Sequence, residues 1–148
     1  MDARLSYQEA AVRGASPLRL VVLLYEQALV DLRHALEALE RGDIETRTRA
    51  INHAILVIGH LQTSLDMGQG REVARNLESF YGIVRNGLME AQCRQSKPIL
   101  RQQISLLTLV QEAWLEVERS SGPNENRDKP SLVLPRVAGG AVATEWSA

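Results

Sequence analysis

The sequence contains three histidines, which are its best candidates for catalysis or metal binding. One of them follows a carboxylate at helical spacing. Asp31 and His34 have the carboxylate-x-x-histidine spacing of di-iron helical bundles. Such a site needs that pair twice, with inward-facing glutamates on two further helices, and the sequence supplies the pair once. His53 and His60 lie about two helical turns apart, which is too far for both to grip one metal ion unaided. We therefore predict no metal site and no cofactor, and keep a di-iron carboxylate enzyme only as a minor alternative.

Other kinds of catalytic site lack their residues. Ser64, Ser79 and Cys93 have no base at a recognisable spacing, so the sequence predicts no enzyme. His53 is the best position for phosphotransfer, but apolar residues follow it and no lysine is near in sequence to steady a phosphate. The glycines at 68–70 follow no predicted strand, so they do not indicate a nucleotide-binding loop.

The composition excludes further classes of function. The chain has 148 residues and a formal net charge of −1, and 45% of its residues are apolar. This charge, without a basic stripe, argues against nucleic-acid binding. No apolar run approaches the roughly 20 residues of a membrane span, so we expect no membrane insertion. Cys93 is the only cysteine and the first residues lack the apolar centre of a secretory signal, so we predict a cytoplasmic protein.

Apolar residues at alternating spacings of three and four predict the elements that must carry any site. The first helix is the clearest, because Ser16-Pro17 is a start signal and Gly42 a stop signal. Gly68 and Gly70 permit the positive φ angles of a reversal between the second and third helices, and Ser96-Lys97-Pro98 is a start signal for the fourth. The predicted helices span about 17–41, 43–65, 70–95 and 98–119. Their short connections indicate an all-α fold, an antiparallel up-down four-helix bundle within residues 1–120. A short N-terminal cap segment precedes it, and we predict that 121–148 form a disordered tail.

The helices carry more apolar residues than one inward face requires. Leu56 and Val57 lie off the predicted stripe of the second helix, and Leu100, Ile104, Leu107 and Leu109 add to that of the fourth. Two interpretations stay open. The surplus either widens the core face or forms an apolar groove for a partner helix. Self-association of a structural four-helix protein is an alternative outcome, and the N-terminal segment offers a cover for such a groove.

Several stretches, in order, resemble the flagellar secretion chaperones of the FliS type. ASPLRLVVLLYEQAL resembles the start of the family's first helix, and LERGDIETRTRAINHAILVI its turn and second helix. LDMGQGREVARNLESFY resembles its most distinctive segment, a glycine-containing turn before E-[IV]-A-x-N-L and an aromatic pair. The resemblance covers roughly residues 7 to 118. The chain differs at Gly70-Arg71, where the family often has two glycines, at Ile83 and Gln92, and in its tail.

The resemblance implies a non-catalytic, cytoplasmic role. Chaperones of this type bind the disordered C-terminal region of flagellin, prevent its premature polymerisation and keep it competent for type III export. An anti-sigma factor or an export-apparatus component is a further partner that the resemblance leaves open. From the surplus apolar residues we predict a groove on the second and third helices, with Tyr7 as its cover. The predicted partner-binding residues are Tyr7, Leu56, Val57, Leu61, Leu77, Tyr81, Val84 and Leu88.

Overall fold

The chain folds into a four-helix bundle in a computed structural model that describes residues 16–65 and 67–121. Its helices are α1 (Pro17–Arg41), α2 (Ile44–Thr63), α3 (Met67–Arg94) and α4 (Lys97–Ser121). The fold class predicted from the sequence is therefore confirmed, and the helix bounds lie within a few residues of those expected. The predicted N-terminal cap segment, which includes Tyr7, and the predicted tail beyond Ser121 lie outside the described residues.

Local sequence signals set both ends of α1. The Ser16 hydroxyl accepts a hydrogen bond from the Arg19 N–H at 3.0 Å, and Pro17 occupies the first helical position. At the other end Gly42 has a φ of 76°, which favours glycine because it has no Cβ. The N–H groups of Gly42 and Asp43 then donate to the carbonyls of Leu39 (3.2 Å) and Ala38 (2.8 Å). This paired closure of the last turn is a Schellman motif, and it reverses the chain within two residues.

Asp43 begins α2 directly after that reversal. Its side chain accepts a hydrogen bond from the Thr46 N–H at 3.1 Å. Hydrogen bonding to Thr46 is the main reason why the pKa of Asp43 lies below its ordinary value, with Arg41 as a minor cause. Because the connection is so short, α1 and α2 pack side by side as an antiparallel hairpin.

Two residues with positive φ mark the ends of α3. The glycines at 68 and 70 lie in its first turn, after which Arg71 interrupts the helix with φ 49° and ψ −113°. That conformation suits glycine far better than arginine. At the other end Gln95 has a φ of 51°, and the Ser96 N–H donates to the Ala91 carbonyl at 3.2 Å. Ser96 then caps α4 by accepting from the Ile99 N–H at 3.2 Å, as the sequence predicts.

The helices pack in a ring in which each contacts its sequence neighbours and α4 closes onto α1. The core is mostly leucine, isoleucine, valine and alanine, and the largest fully buried side chains are Tyr25 and Tyr81. None of the four described helices combines the length and apolar composition needed to cross a membrane. The bundle therefore presents four outer helix faces and four seams between helices as the surfaces available to a partner.

Candidate partner-binding surface

Most of the predicted partner-binding residues lie in the core. The six that are almost fully buried are Val57, Leu61, Leu77, Tyr81, Val84 and Leu88. The expectation that they form an exposed groove is wrong for the described structure, although their part in binding a partner stays untested. Leu56 is the exception, with 53% of its surface exposed. Tyr7 lies outside the described residues.

The inward face of α2 differs from the stripe expected from its isoleucines. Ile44 is 61% exposed and Ile55 only partly buried, whereas Ala54 and Val57 are buried. The small Ala54 faces the core, and Arg47 is only 5% exposed while its Nε donates to Gln92 Oε1 at 3.1 Å. The helix is thus rotated relative to its most hydrophobic residues, which places Val57 inside and Leu56 outside.

On α3 the buried residues are the seam itself. Leu77, Tyr81, Val84 and Leu88 follow spacings of four, three and four, which is the pattern of a packed helix face. The position next to them, Phe80, is only partly buried. Residues at this spacing face the core and cannot also form an exposed surface. The apolar residues of α3 that a partner could contact are instead Phe80, Ile83 and Met89.

Tyr81 is held inside by a polar contact across the core. Its hydroxyl lies 2.8 Å from that of Tyr25, on the diagonally opposite helix, and the two ring centroids are 6.2 Å apart. Burial is the main cause of the raised pKa of both phenols. The Trp114 indole N–H lies near enough to Tyr25 to oppose that rise in pKa, but its geometry falls short of a hydrogen bond. The pair gives each buried hydroxyl a partner, so it favours one arrangement of the helices.

The exposed apolar surface consists of single residues distributed over the four helices. Among the described residues, Val30 is 41% exposed, Leu109 43% and Met89 47%, in addition to Leu56 and to Ile44 at the start of α2. Val30, Leu56 and Leu109 each lie near the middle of their helix, on three helices that are neighbours in the ring. We call these three residues the apolar belt. Sequence reasoning missed Val30 and Met89, which are recognisable only once the inward face of each helix is known.

A polar cleft of about 490 Å³ lies between α1 and α2. Asp31, only 7% exposed, accepts from Gln27 Nε2 at 2.9 Å and lies 2.5 Å from His53 Nδ1. The sequence pairs Asp31 with His34, whereas the structure pairs it with His53, because Asp31 and His53 are each about ten residues from the α1–α2 turn. Among the described residues, no three histidine, cysteine or acidic side chains are grouped to hold a metal ion. The cleft thus contains a hydrogen bond between two helices, from His53 on α2 to Asp31 on α1, rather than a metal site.

The seam between α3 and α4 is fixed by a close approach at Gly87. A Cβ at this position would lie 2.4 Å from the side-chain amide of Gln103, which is itself only 2% exposed. Gln103 Nε2 donates weakly to the Ile99 carbonyl at 3.4 Å, and its Oε1 is buried without a hydrogen-bond partner. Gly87 has a low helix propensity, but its lack of a Cβ lets α4 pack closely against α3.

Comparison with known proteins gives one consistent result. The family description "Flagellar protein FliS" matches residues 1–121. The flagellar secretion chaperone FliS of Salmonella typhimurium is 32% identical over 120 residues, which are 80% of this chain and 89% of that protein. FliSB of Pseudomonas aeruginosa is 36% identical over 118 residues, 77% of this chain and 94% of the relative. FliS of Bacillus subtilis is 24% identical over 115 residues, 78% and 85% of the two chains.

The family match covers all four helices of the bundle. The family match begins at residue 1 and ends at residue 121, where α4 ends. Two relatives exceed 30% identity and align over most of both chains. The chain therefore belongs to the flagellar protein FliS family, and its role is that of a chaperone in flagellar export.

Proposed function

We propose that this chaperone binds the C-terminal segment of flagellin in the cytoplasm, prevents its polymerisation and keeps it competent for export. The observation that carries this proposal is the apolar belt on a bundle that belongs to a chaperone family. An export substrate with disordered, apolar terminal segments needs a partner that covers those segments and later releases them.

The distribution of the belt favours an extended ligand over a single docked helix. For helix axes about 8–10 Å apart, the outer faces of neighbouring helices lie roughly 15–20 Å apart. An extended chain covers that distance with about five or six residues. A disordered segment with an apolar side chain at such intervals would contact α2, α1 and α4 in turn, as in wrapping around the bundle.

The size of the belt predicts moderate binding from these residues alone. Complete burial of a leucine or valine stabilises by about 1.5–3 kcal/mol, so covering the exposed half of each belt residue contributes roughly 1 kcal/mol. Three such contacts are comparable with the 2–5 kcal/mol needed to order the ligand. Tight binding therefore requires more apolar area, and the partly buried Leu23, Phe80, Ile83 and Leu115 are available to supply it.

The experiment that tests this proposal replaces Leu56 by aspartate. Leu56→Asp should weaken binding of a flagellin C-terminal peptide by about tenfold or more, since it removes roughly 1 kcal/mol of burial and places a charge in the interface. Its melting temperature should stay close to that of the wild type. Asn52→Asp is the matched control, because it adds the same charge to an exposed position one turn earlier and should leave binding nearly unchanged.

The neighbouring Val57→Asp distinguishes surface from core. Val57 is 1% exposed, so a charge there should unfold the bundle rather than reduce binding selectively. Equal affinities of Leu56→Asp and wild type, with both proteins folded, would remove the belt from the binding site.

A further inference from the structure

The end of the chain contains an apolar segment beyond the family match. The match and α4 both end at residue 121. Ten residues later the sequence reads SLVLPRV, residues 131–137, with apolar side chains at Leu132, Val133, Leu134 and Val137. Residues 122–148 carry three basic and three acidic side chains, which balance. Any contact made by this segment would therefore rest on apolar burial rather than on charge attraction.

The seam between α3 and α4 offers an apolar surface at the height of the belt. The contact between Gly87 and Gln103 sets the register of these antiparallel helices. One and two turns further along the same seam lie Ile83 and Phe80 on α3, and Leu106 and Leu109 on α4. Leu109 is 43% exposed, Leu106 is 9% exposed, and Phe80 and Ile83 are partly buried. We call these four residues the α3/α4 groove.

The connection between groove and segment has a favourable length. Leu109 precedes the end of α4 by twelve residues, about 18 Å at 1.5 Å per residue. A random coil of about twelve residues, the number between Ser121 and the centre of 131–137, has a root-mean-square length of roughly 17–21 Å. Effective concentration is highest when the length of a connection matches the distance that it must span. The groove therefore lies at a distance that this segment can reach at high effective concentration.

We propose that residues 131–137 bind intramolecularly in the α3/α4 groove and compete there with the bound export substrate. Leu132 and Leu134 supply the apolar contacts, with Leu109 and Ile83 as their main partners. Binding of the segment does not depend on the proposed function, whereas the competition rests on it. Because the occupant is part of the same chain, it returns to the groove whenever the substrate leaves.

The test uses the full chain and its single cysteine. Cys93 is exposed on α3, about 15 Å along the helix axis from Ile83, so a nitroxide attached to it reports on a segment in the groove. In the isotope-labelled wild type, the amide signals of residues 131–137 should be attenuated more than those of the rest of the tail. Leu132→Asp/Leu134→Asp should abolish this selective loss. Val142→Asp, which adds a charge elsewhere in the tail, should preserve it.

Other occupants give distinct results, each of which overturns the proposal. Uniform weak attenuation along the whole tail means that the segment does not bind. Attenuation that persists when nitroxide and isotope are on different molecules means that a second copy fills the groove. Selective attenuation of N-terminal residues, with none in the tail, means that the N-terminus fills it.

Affinity for a flagellin C-terminal peptide separates this inference from the proposed function. If the tail competes, Leu132→Asp/Leu134→Asp should raise that affinity by about tenfold, the gain from removing an occupant present roughly nine-tenths of the time. An unchanged affinity together with selective attenuation overturns the competition but not the binding of the tail. If neither the wild type nor the double variant binds the peptide, while the wild type still shows selective attenuation of residues 131–137, the proposed function alone is contradicted.

Discussion

The hydrogen bond between Tyr25 and Tyr81 should show strong coupling when its two hydroxyls are removed in turn. Each hydroxyl is buried, and they lie 2.8 Å apart. Tyr25→Phe or Tyr81→Phe leaves the ring in place but strands the other hydroxyl without a partner, which should lower the free energy of unfolding by about 1–3 kcal/mol. The double variant strands no hydroxyl, so it should be about as stable as either single variant, or more stable.

Urea denaturation followed by circular dichroism measures these differences. The denaturant dependence of the unfolding free energy should be the same in all four proteins, because the surface exposed on unfolding hardly changes. Ser120→Ala is a control, since it removes an exposed hydroxyl that bonds to the Glu116 carbonyl, and its effect should stay within about 0.5 kcal/mol. Additive costs in the double variant would refute the reasoning, because they would show that the two hydroxyls act independently.

The same pair predicts a loss of stability in alkaline solution. Burial raises the pKa of both tyrosines in the folded state, so the folded chain retains protons that the unfolded chain loses above about pH 10. The contribution of the two raised pKa values to the free energy of unfolding is complete below pH 10. It declines as pH rises, by up to about 1.4 kcal/mol per pH unit for each tyrosine. The double phenylalanine variant should lack this decline, and an identical alkaline profile in both proteins would contradict the assignment.

Three further perturbations test the turns and the α3/α4 seam. In thermal melts, Arg71→Gly should stabilise the fold by up to about 2 kcal/mol, because it relieves a backbone conformation with φ 49° and ψ −113°. The control Arg75→Gly, within the helix, should destabilise the fold by about 1 kcal/mol. Gly87→Ala should be more favourable in a Gln103→Ala background than in the wild type, because the added Cβ then meets no buried amide; equal effects in urea titrations of both backgrounds would exclude that clash. The cap at Asp43 should lose its stabilisation as pH falls below about 4, since a lowered pKa in the folded state favours folding only while the carboxylate is ionised; Asp43→Asn keeps a capping oxygen, so its acid melting profile should be flatter.

The helices and their ends were predictable because the signals are local. Ser16-Pro17, Gly42 and Ser96 determine φ angles and hydrogen bonds within a few residues of themselves, and the structure confirms each as a start or a stop. The exception is the GQG segment, residues 68–70, because the sequence predicts the positive φ of the reversal at its glycines, whereas the structure places a positive φ at Arg71. Propensity does not predict this, because arginine is a poor choice for the conformation that the turn imposes.

The surface was harder to predict because it depends on how far each helix is rotated about its axis. Leu56 and Val57 are adjacent and similarly apolar, and which of them faces outward depends on how the whole buried face of α2, from Arg47 to Leu61, packs against the other helices. The sequence predicts Tyr81 as a partner-binding residue, but its hydroxyl contacts that of Tyr25 on the opposite helix, 56 residues away in sequence. Pairs of this kind depend on tertiary register, which a single sequence does not specify beyond the α1–α2 hairpin.

Calorimetric titration with a flagellin C-terminal peptide of ~40 residues tests the central claim most directly, because coupled folding and apolar burial have a heat-capacity signature. We predict one-to-one binding with a negative heat-capacity change, weakened by Leu56→Asp and not by Asn52→Asp. Absence of binding to a folded bundle would contradict the proposed partner. Binding that is insensitive to Leu56→Asp would contradict the surface to which we assign it.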